Sequence, residues 1–297
     1  MKGESHVVHP KEPASSVSIP LNPLRDVPID LHIKAFVGYK SSSHFHVFEL
    51  TRQLPRFSMF SLIPSGTSSE YPQPSGWVSL QSKERVQRIV MWINQNFLLT
   101  EEIEARTSLD LAFLALRDNN LLVLEMDGSG SITIKTDNMD LAGDIIQSLG
   151  TYLGMEDLAT TCNFPSEISS LENMLSRAEE LQSVRQRLSA DMADHSGVIR
   201  SLVVRSEDSR IMADMKSLRK WSGQLYDINR DLVSQYKIRC NNHKELMDTL
   251  KDVNQIIQKA ARMRLGKSKS MVVSECRNSI KTNNINQLVK VIKTGIP

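Results

Sequence analysis

Histidines and carboxylates close enough to act together occur at two places. His44 and His46 sit two apart in SSHFHV, and His195 follows Asp191 and Asp194 in SADMADHS. Alternate residues of a strand share a face, so His44 and His46 would present two imidazoles side by side, half of a metal site. Spacing offers no third ligand, and a solvated or partly buried face accounts for the pair. On a helix Asp191 and His195 lie one turn apart, the arrangement of a carboxylate that orients a base. That chemistry also needs a nucleophile in a cleft, and the sequence supplies none. Gly128-Ser129-Gly130 lacks the Lys-Ser/Thr and the strand-then-helix context of a phosphate loop, and reads as a hairpin turn. Cys162, Cys240 and Cys276 are too scattered for a disulfide framework or a zinc spacing, which points to inert thiols in a reducing compartment. No catalytic residue, cofactor or metal is expected.

One charged cluster remains. Lys259, Arg262, Arg264, Lys267 and Lys269 crowd the end of a long helical pattern. Cations there compensate the negative end of the helix dipole. The sharper reading is a contact for acidic lipid or an acidic partner surface.

The elements that carry these residues divide in two. The second half of the chain is a pair of heptad patterns. Leu171, Met174, Ala178, Leu181, Leu188, Met192, Ile199 and Leu202 alternate by threes and fours, broken at Arg185 and His195. The rhythm resumes with Ile211, Met215, Leu218, Leu225, Leu232, Tyr236, Leu246, Leu250, Val253, Ile257 and Ala260, with Ser222, Asn229, Arg239 and His243 as polar members. Such a seam must bury itself against another helix. Helices over 165–204 and about 207–264, the second capped by Ser206, joined by a short linker, predict a long antiparallel hairpin. The packing residues expected are Leu181, Leu188, Ile199, Leu202, Leu225, Leu232, Leu246 and Leu250, with His195, Asn229 and His243 as polar pins of the register. Two short helices follow in 266–297, with Asn284 and Gln287 spaced as a capping box.

The first half mixes periods. Residues 1–72 read as antiparallel β-structure of about four strands, an incomplete sandwich, in which Leu31, Ile33, Ala35, Val37 and Tyr39 form one buried face. The Pro/Ser/Gly stretch 64–76 is the clearest boundary. Residues 73–165 alternate strands with two helical stripes, the first N-capped by Ser82, and predict a compact α+β domain.

The 297 residues fit about two domains, and a formal net charge of +2 argues against a dedicated nucleic-acid binder. No apolar run reaches the roughly 20 residues of a membrane span, and MKGESHVVHPKEP has no secretory apolar core, so a soluble cytosolic chain is expected.

Several stretches resemble a known family. GESHVVHP (3–10), DLHIKAFVGY (30–39), FHVFELTRQLPRFSMF (45–60), DLAGDIIQS (140–148), LSADMADHS (188–196), YKIRCNNHKEL (236–246) and NNINQL (283–288) are similar, in order and from end to end, to the later part of the Bardet–Biedl syndrome 2 protein family. The resemblance implies a subunit of the BBSome, a coat-like adaptor that moves membrane proteins to and within cilia. It implies a γ-adaptin-ear-like partial sandwich, a platform domain, a hairpin and small C-terminal helices, without the family's β-propeller and first coiled coil. It implies no enzymatic activity. Implied partners are other BBSome subunits, the Bardet–Biedl syndrome 7 and 9 proteins foremost, with membrane-protein cargo met indirectly. Implied locations are cytoplasm, cilium, the ciliary membrane as a peripheral protein, and the basal body with centriolar satellites. The rival readings are a homodimeric coiled-coil tether and an enzyme with its site in 73–165.

Overall fold

The computed structural model describes residues 7–9, 16–39, 44–64, 70–105 and 107–296. The chain forms two compact units: 1–74 with 81–134, and 75–80 with 135–297.

In the first unit β1 (Ile29–Val37) pairs antiparallel with β2 (His46–Leu54), Phe36 opposite Val47 and Ile33 opposite Leu50. The buried face expected on β1 is only partly covered: Leu31 and Ala35 are half-buried, and Ile33, Val37 and Tyr39 are exposed. The sandwich expected over 1–72 is this two-stranded sheet among the described residues. The third strand of that stretch, β3 (Phe60–Leu62), belongs elsewhere. It pairs with β5 (Leu109–Ala115), Phe60 opposite Ala115, so a division at 72 would cut it from its partner. Long-range ladder bonds outweighed the Pro/Ser/Gly break that suggested the boundary. β6 (Leu121–Met126) and β7 (Ser131–Lys135) continue the order β3–β5–β6–β7, joined by the expected turn at Asp127–Gly130. Asp127 Oδ1 closes that turn by accepting from the Ser129 and Ser131 amides at 3.0 and 2.9 Å.

Helix α1 (Val86–Asn96) lays Val86, Ile89, Val90 and Ile93 on the sheet, the spacing read from the sequence. Its N-cap is Arg85, with no side-chain cap bond. Ser82 instead donates its amide to Gly130 O at 2.9 Å and is buried beside the hairpin turn. Phe57, Phe60, Trp92, Phe97 and Phe113 form the aromatic centre, with Phe97 and Phe113 stacked at 4.4 Å.

The second unit begins with β4 (Trp77–Gln81), which pairs antiparallel with β8 (Thr160–Asn163). Asp137 Oδ1 holds the entry by accepting from the Ser75 and Gly76 amides at 2.8 and 2.9 Å. Helix α2 (Met139–Leu153) is capped by Asn138, whose side chain accepts from Asp140 N and Leu141 N, and ends at Gly154 in the left-handed region. Then come α3 (Pro165–Ile211) and α4 (Met215–Arg262), followed by α5 (Gly266–Lys281) and α6 (Ile285–Thr294).

The turn between the long helices falls later than the sequence suggested. Ser206-Glu207-Asp208 looks like a helix start, yet α3 runs through it and Ser206 Oγ lies 3.1 Å from Ser222 Oγ across the hairpin. The start of α4 is Asp214, whose carboxylate accepts from the Lys216 and Ser217 amides, after Ala213 at φ 56°. Ile211 thus ends α3. The Asn284 cap of α6 is as expected: its Oδ1 accepts from Gln287 N at 3.1 Å, and its amide donates to Gln287 Oε1.

Candidate interaction site

The longest surface in this chain is the hairpin, two helices of 47 and 48 residues, each about 70 Å long. On α3 the interior positions follow the sequence reading. Leu171, Ala178, Leu181, Leu188 and Leu202 are buried, and Met174, Met192, His195 and Ile199 are half-buried. At the break called Arg185, Val184 turns inward and Arg185 faces solvent.

On α4 only half of the expected seam faces α3. Leu218, Leu225, Leu232, Arg239, Leu246, Val253 and Ala260 lie inward, as read. Most of the other half is displaced by one residue: Trp221, Ile228, Gln235, Asn242, Thr249 and Ile256 are buried or half-buried, whereas Asn229, Tyr236, His243 and Leu250 are exposed. Ile257 is buried as read, and Ser222, though exposed, reaches Ser206 across the hairpin. Two of the three expected register pins are therefore misplaced. Asn229 and His243 are exposed, because each sits one residue past the inward position.

His195 is placed as expected, its Nδ1 3.1 Å from Gln235 Oε1 across the seam. Its neighbours there are polar too: Arg239 Nη1 lies 3.0 Å from Met192 Sδ, and Asn242 is buried with its Oδ1 unpartnered. Gln235 and Asn242 were missed from sequence. The signal was available, since an inward ladder through 221, 228, 235 and 242 keeps the same three-four spacing.

The base of the hairpin is fixed by close approach and by charge. Gly143 on α2 faces the Arg262 side chain, where an added Cβ would lie 3.2 Å from Arg262 Cβ, and Gly150 one heptad on would be overrun by Leu265. Gln147 between them donates to the carbonyls of Arg262 and Arg264 at 2.6 and 3.1 Å, satisfying the end of α4. Lys259 reaches Asp140 and Glu167 at 3.1 and 3.2 Å, and Arg262 pairs with Asp144 and Asp140. Burial works to lower the Lys259 ammonium, but its bonds to Asp140 and Glu167 outweigh that and leave it above the ordinary lysine value.

Three of the five cations in the expected basic patch are engaged within the unit. Lys259 and Arg262 are spent on ion pairs within the unit. Arg264 is fully buried: it donates to the carbonyls of Ala260 at 3.0 Å, Thr160 at 3.2 Å and Ile292 at 2.7 Å. Lys267 is exposed and Lys269 half-buried, and the Arg262 side chain, though paired, is 42% exposed, so only Arg264 is withdrawn from the surface altogether.

The Arg264 cage joins the end of α4, β8 and the end of α6 around one cation, with carbonyl oxygens in place of a carboxylate. Burial pulls its guanidinium below the ordinary arginine value. Cys162, donating to Ile292 O at 3.2 Å, and Cys276 are buried beside it. Burial pushes the Cys162 thiol up and the Cys276 thiol to about 11, so both stay protonated at neutral pH and neither is an activated nucleophile. Of the other chemistry-bearing residues, His44 and His46 are exposed, and no group of three metal-ligating side chains is present among the described residues. No helix among them is long and apolar enough to cross a membrane.

The fold defines a modular α+β protein whose dominant surface is a helical hairpin braced at its base. Comparison with known proteins then places it. Family models described as BBS2 GAE domain, BBS2 platform domain, BBS2 hairpin and BBS2 C-terminal helix bundle match residues 1–57, 47–153, 165–262 and 267–293 in turn. Mouse and human proteins named BBSome complex member BBS2 are each 51% identical over 296 residues, 99% of this chain and 41% of theirs. The Caenorhabditis elegans protein named BBSome complex member bbs-2 is 24% identical over 303 residues, 99% of this chain and 42% of its own length. The chain belongs to the BBS2 family and spans about two fifths of the length of these relatives.

Proposed function

We propose that this chain is a non-enzymatic scaffold subunit of a BBSome, the coat-like adaptor that carries membrane proteins to and within cilia. The observation that carries this reading is the match over 99% of the chain to proteins named as BBSome complex members. The partners proposed are other BBSome subunits, first the Bardet–Biedl syndrome 7 and 9 proteins, with cargo met through the assembled complex. Its places would be the cytoplasm, the cilium and its membrane as a peripheral protein, and the basal body and centriolar satellites.

The arrangement supports a scaffold. A 70 Å rod builds distance and interface, and its energy comes from apolar burial at about 25 cal/mol per Å² before ordering costs are subtracted. Of the packing residues expected, Leu181, Leu188, Leu202 and Leu246 are buried in the hairpin itself, and Ile199, Leu225 and Leu232 are half-buried. Leu250 is 37% exposed and is left for a partner. Because α3 finds its mate in α4 of the same chain, a homodimeric tether is not needed to hide the seam. Light scattering checks this: a dimer at micromolar concentration would favour the tether. The membership is tested by tagging the chain in ciliated cells and sedimenting the extract. Co-migration with BBSome subunits is expected. Recovery only as a free species, beside an intact endogenous complex, would overturn it.

A further inference from the structure

The outward positions of α4 form a seam of their own. Tyr226, Val233, Tyr236, Cys240, Met247 and Leu250, with Asn229 and His243 between them, follow one another by threes and fours. All eight are exposed, and the five large apolar members are 37% to 68% exposed. The stripe runs about 36 Å along the helix, at 1.5 Å per residue. It is separate from the seam that grips α3: each position lies one residue past an inward one, about 100° around the axis. A three-four alternation is the pattern that keeps one side chain after another against a neighbouring helix crossing at about 20°. Exposed apolar ladders of this length are uncommon on monomers.

The flank says what kind of helix fits. On the side of the stripe away from α3 stand Arg230, Lys237, Lys244 and Lys251, seven residues apart and all exposed. Residues on this flank of a packed helix face the partner's own flank and set partner choice by charge. On the other side the flank is Leu225, Leu232, Arg239 and Leu246, turned toward α3. A second copy packed antiparallel would bring the four cations against their own images. Packed parallel, they would meet a flank of leucines and Arg239 already used by α3. The carboxylates beside this flank, Asp227 and Asp248, are already engaged by Arg230 and Lys251 of the same helix, so Lys237 and Lys244 would meet no free carboxylate on a second copy's flank.

We propose that the outward face of α4 is a docking site for a helix of another protein that carries an apolar heptad seam and an acidic flank. The face belongs to α4 alone, so it stands apart from the membership proposed above.

The test uses the full chain and two labelled synthetic helices of about four heptads with leucine seams, one flanked by glutamates and one by lysines. Fluorescence anisotropy should show the glutamate-flanked helix binding at least about tenfold tighter. Val233→Glu and Met247→Glu should each weaken it about tenfold while circular dichroism stays unchanged, both positions being exposed. If Val233→Glu loses helicity, Val233→Ser replaces it. The double variant Lys237→Glu/Lys244→Glu should invert the preference. Equal affinity for the two helices, no binding of either, or binding indifferent to the changes at 233 and 247 would overturn the proposal. So would a dimer of the chain that Val233→Glu dissolves, since a second copy would then be the occupant.

Discussion

The two ends of the hairpin share one spacing and differ in their interiors. Near the base, Leu171, Leu181, Leu246, Val253 and Ala260 are at most 4% exposed. Toward the turn, Leu218, Leu225 and Leu232 are only half-buried, and Ile211, Met212 and Met215 stand in solvent. Two helices alone leave most of each circumference wet. The base is drier because α2 and the C-terminal helices add a further layer, pinned by the small Gly143 and Gly150, by Gln147 and by the Arg264 cage. Periodicity therefore fixes pairing, and the third layer fixes depth.

The largest expected effect is at the cage. Arg264→Ala removes the guanidinium donors to the carbonyls of Ala260, Thr160 and Ile292, the last keeping only the weak Cys162 thiol donor, at about 1–3 kcal/mol for each unsatisfied acceptor, for a total on the order of 2–5 kcal/mol. Urea unfolding followed by far-ultraviolet dichroism measures it, and a loss below about 1 kcal/mol would show that the base is not braced there.

Next is the direct contrast between the ends. Leu181→Ala should cost about 2–5 kcal/mol, as a buried leucine truncated to a cavity does, whereas half-buried Leu225→Ala should cost about half of that or less. Equal costs would erase the distinction between base and turn.

Cys276 sharpens the contrast by pH. Its ordinary thiol value of 9.0 is raised to about 11 by burial, so above pH 9 the unfolded chain releases a proton that the folded chain retains. Folding is then linked to proton uptake, and stability falls between pH 9 and about 11 by on the order of 2–3 kcal/mol. Lys259 also titrates high: its stability contribution is whole below the ordinary lysine value of 10.5 and lost above its folded value. Denaturation at stepped pH should show the decline, and Cys276→Ala should lessen the part that begins near 9, the remainder belonging to Cys162, whose thiol is also raised by burial. An unchanged slope would assign the decline elsewhere.

The smallest effect lies in the polar middle. Asn242→Leu replaces a buried amide whose oxygen has no partner and should stabilise by about 1 kcal/mol, while Asn229→Leu, on the outer face, should leave the melting point within experimental scatter. Thermal melts of the two variants separate them, and the reverse order would put the pin back at Asn229.

The sequence by itself determined the two long helices, their antiparallel return, the cap at Asn284, the helical stripe of α2, the hairpin turn at Asp127–Gly130 and the aliphatic core positions of α1. These follow from local spacing and from backbone groups satisfied within a few residues. It placed His195 on the seam for the same reason. Only the tertiary structure decided which of two overlapping ladders on α4 meets α3. The sequence reading took one half from each, because Leu225 and Asn229 keep heptad spacing as well as Leu225 and Ile228 do. Likewise, an arginine at a helix end reads as solvated, and nothing near Arg264 in the chain announces the carbonyls of Thr160 and Ile292, which lie 104 and 28 residues away. A side chain's environment is set by what the fold brings to it, and local pattern carries no record of that.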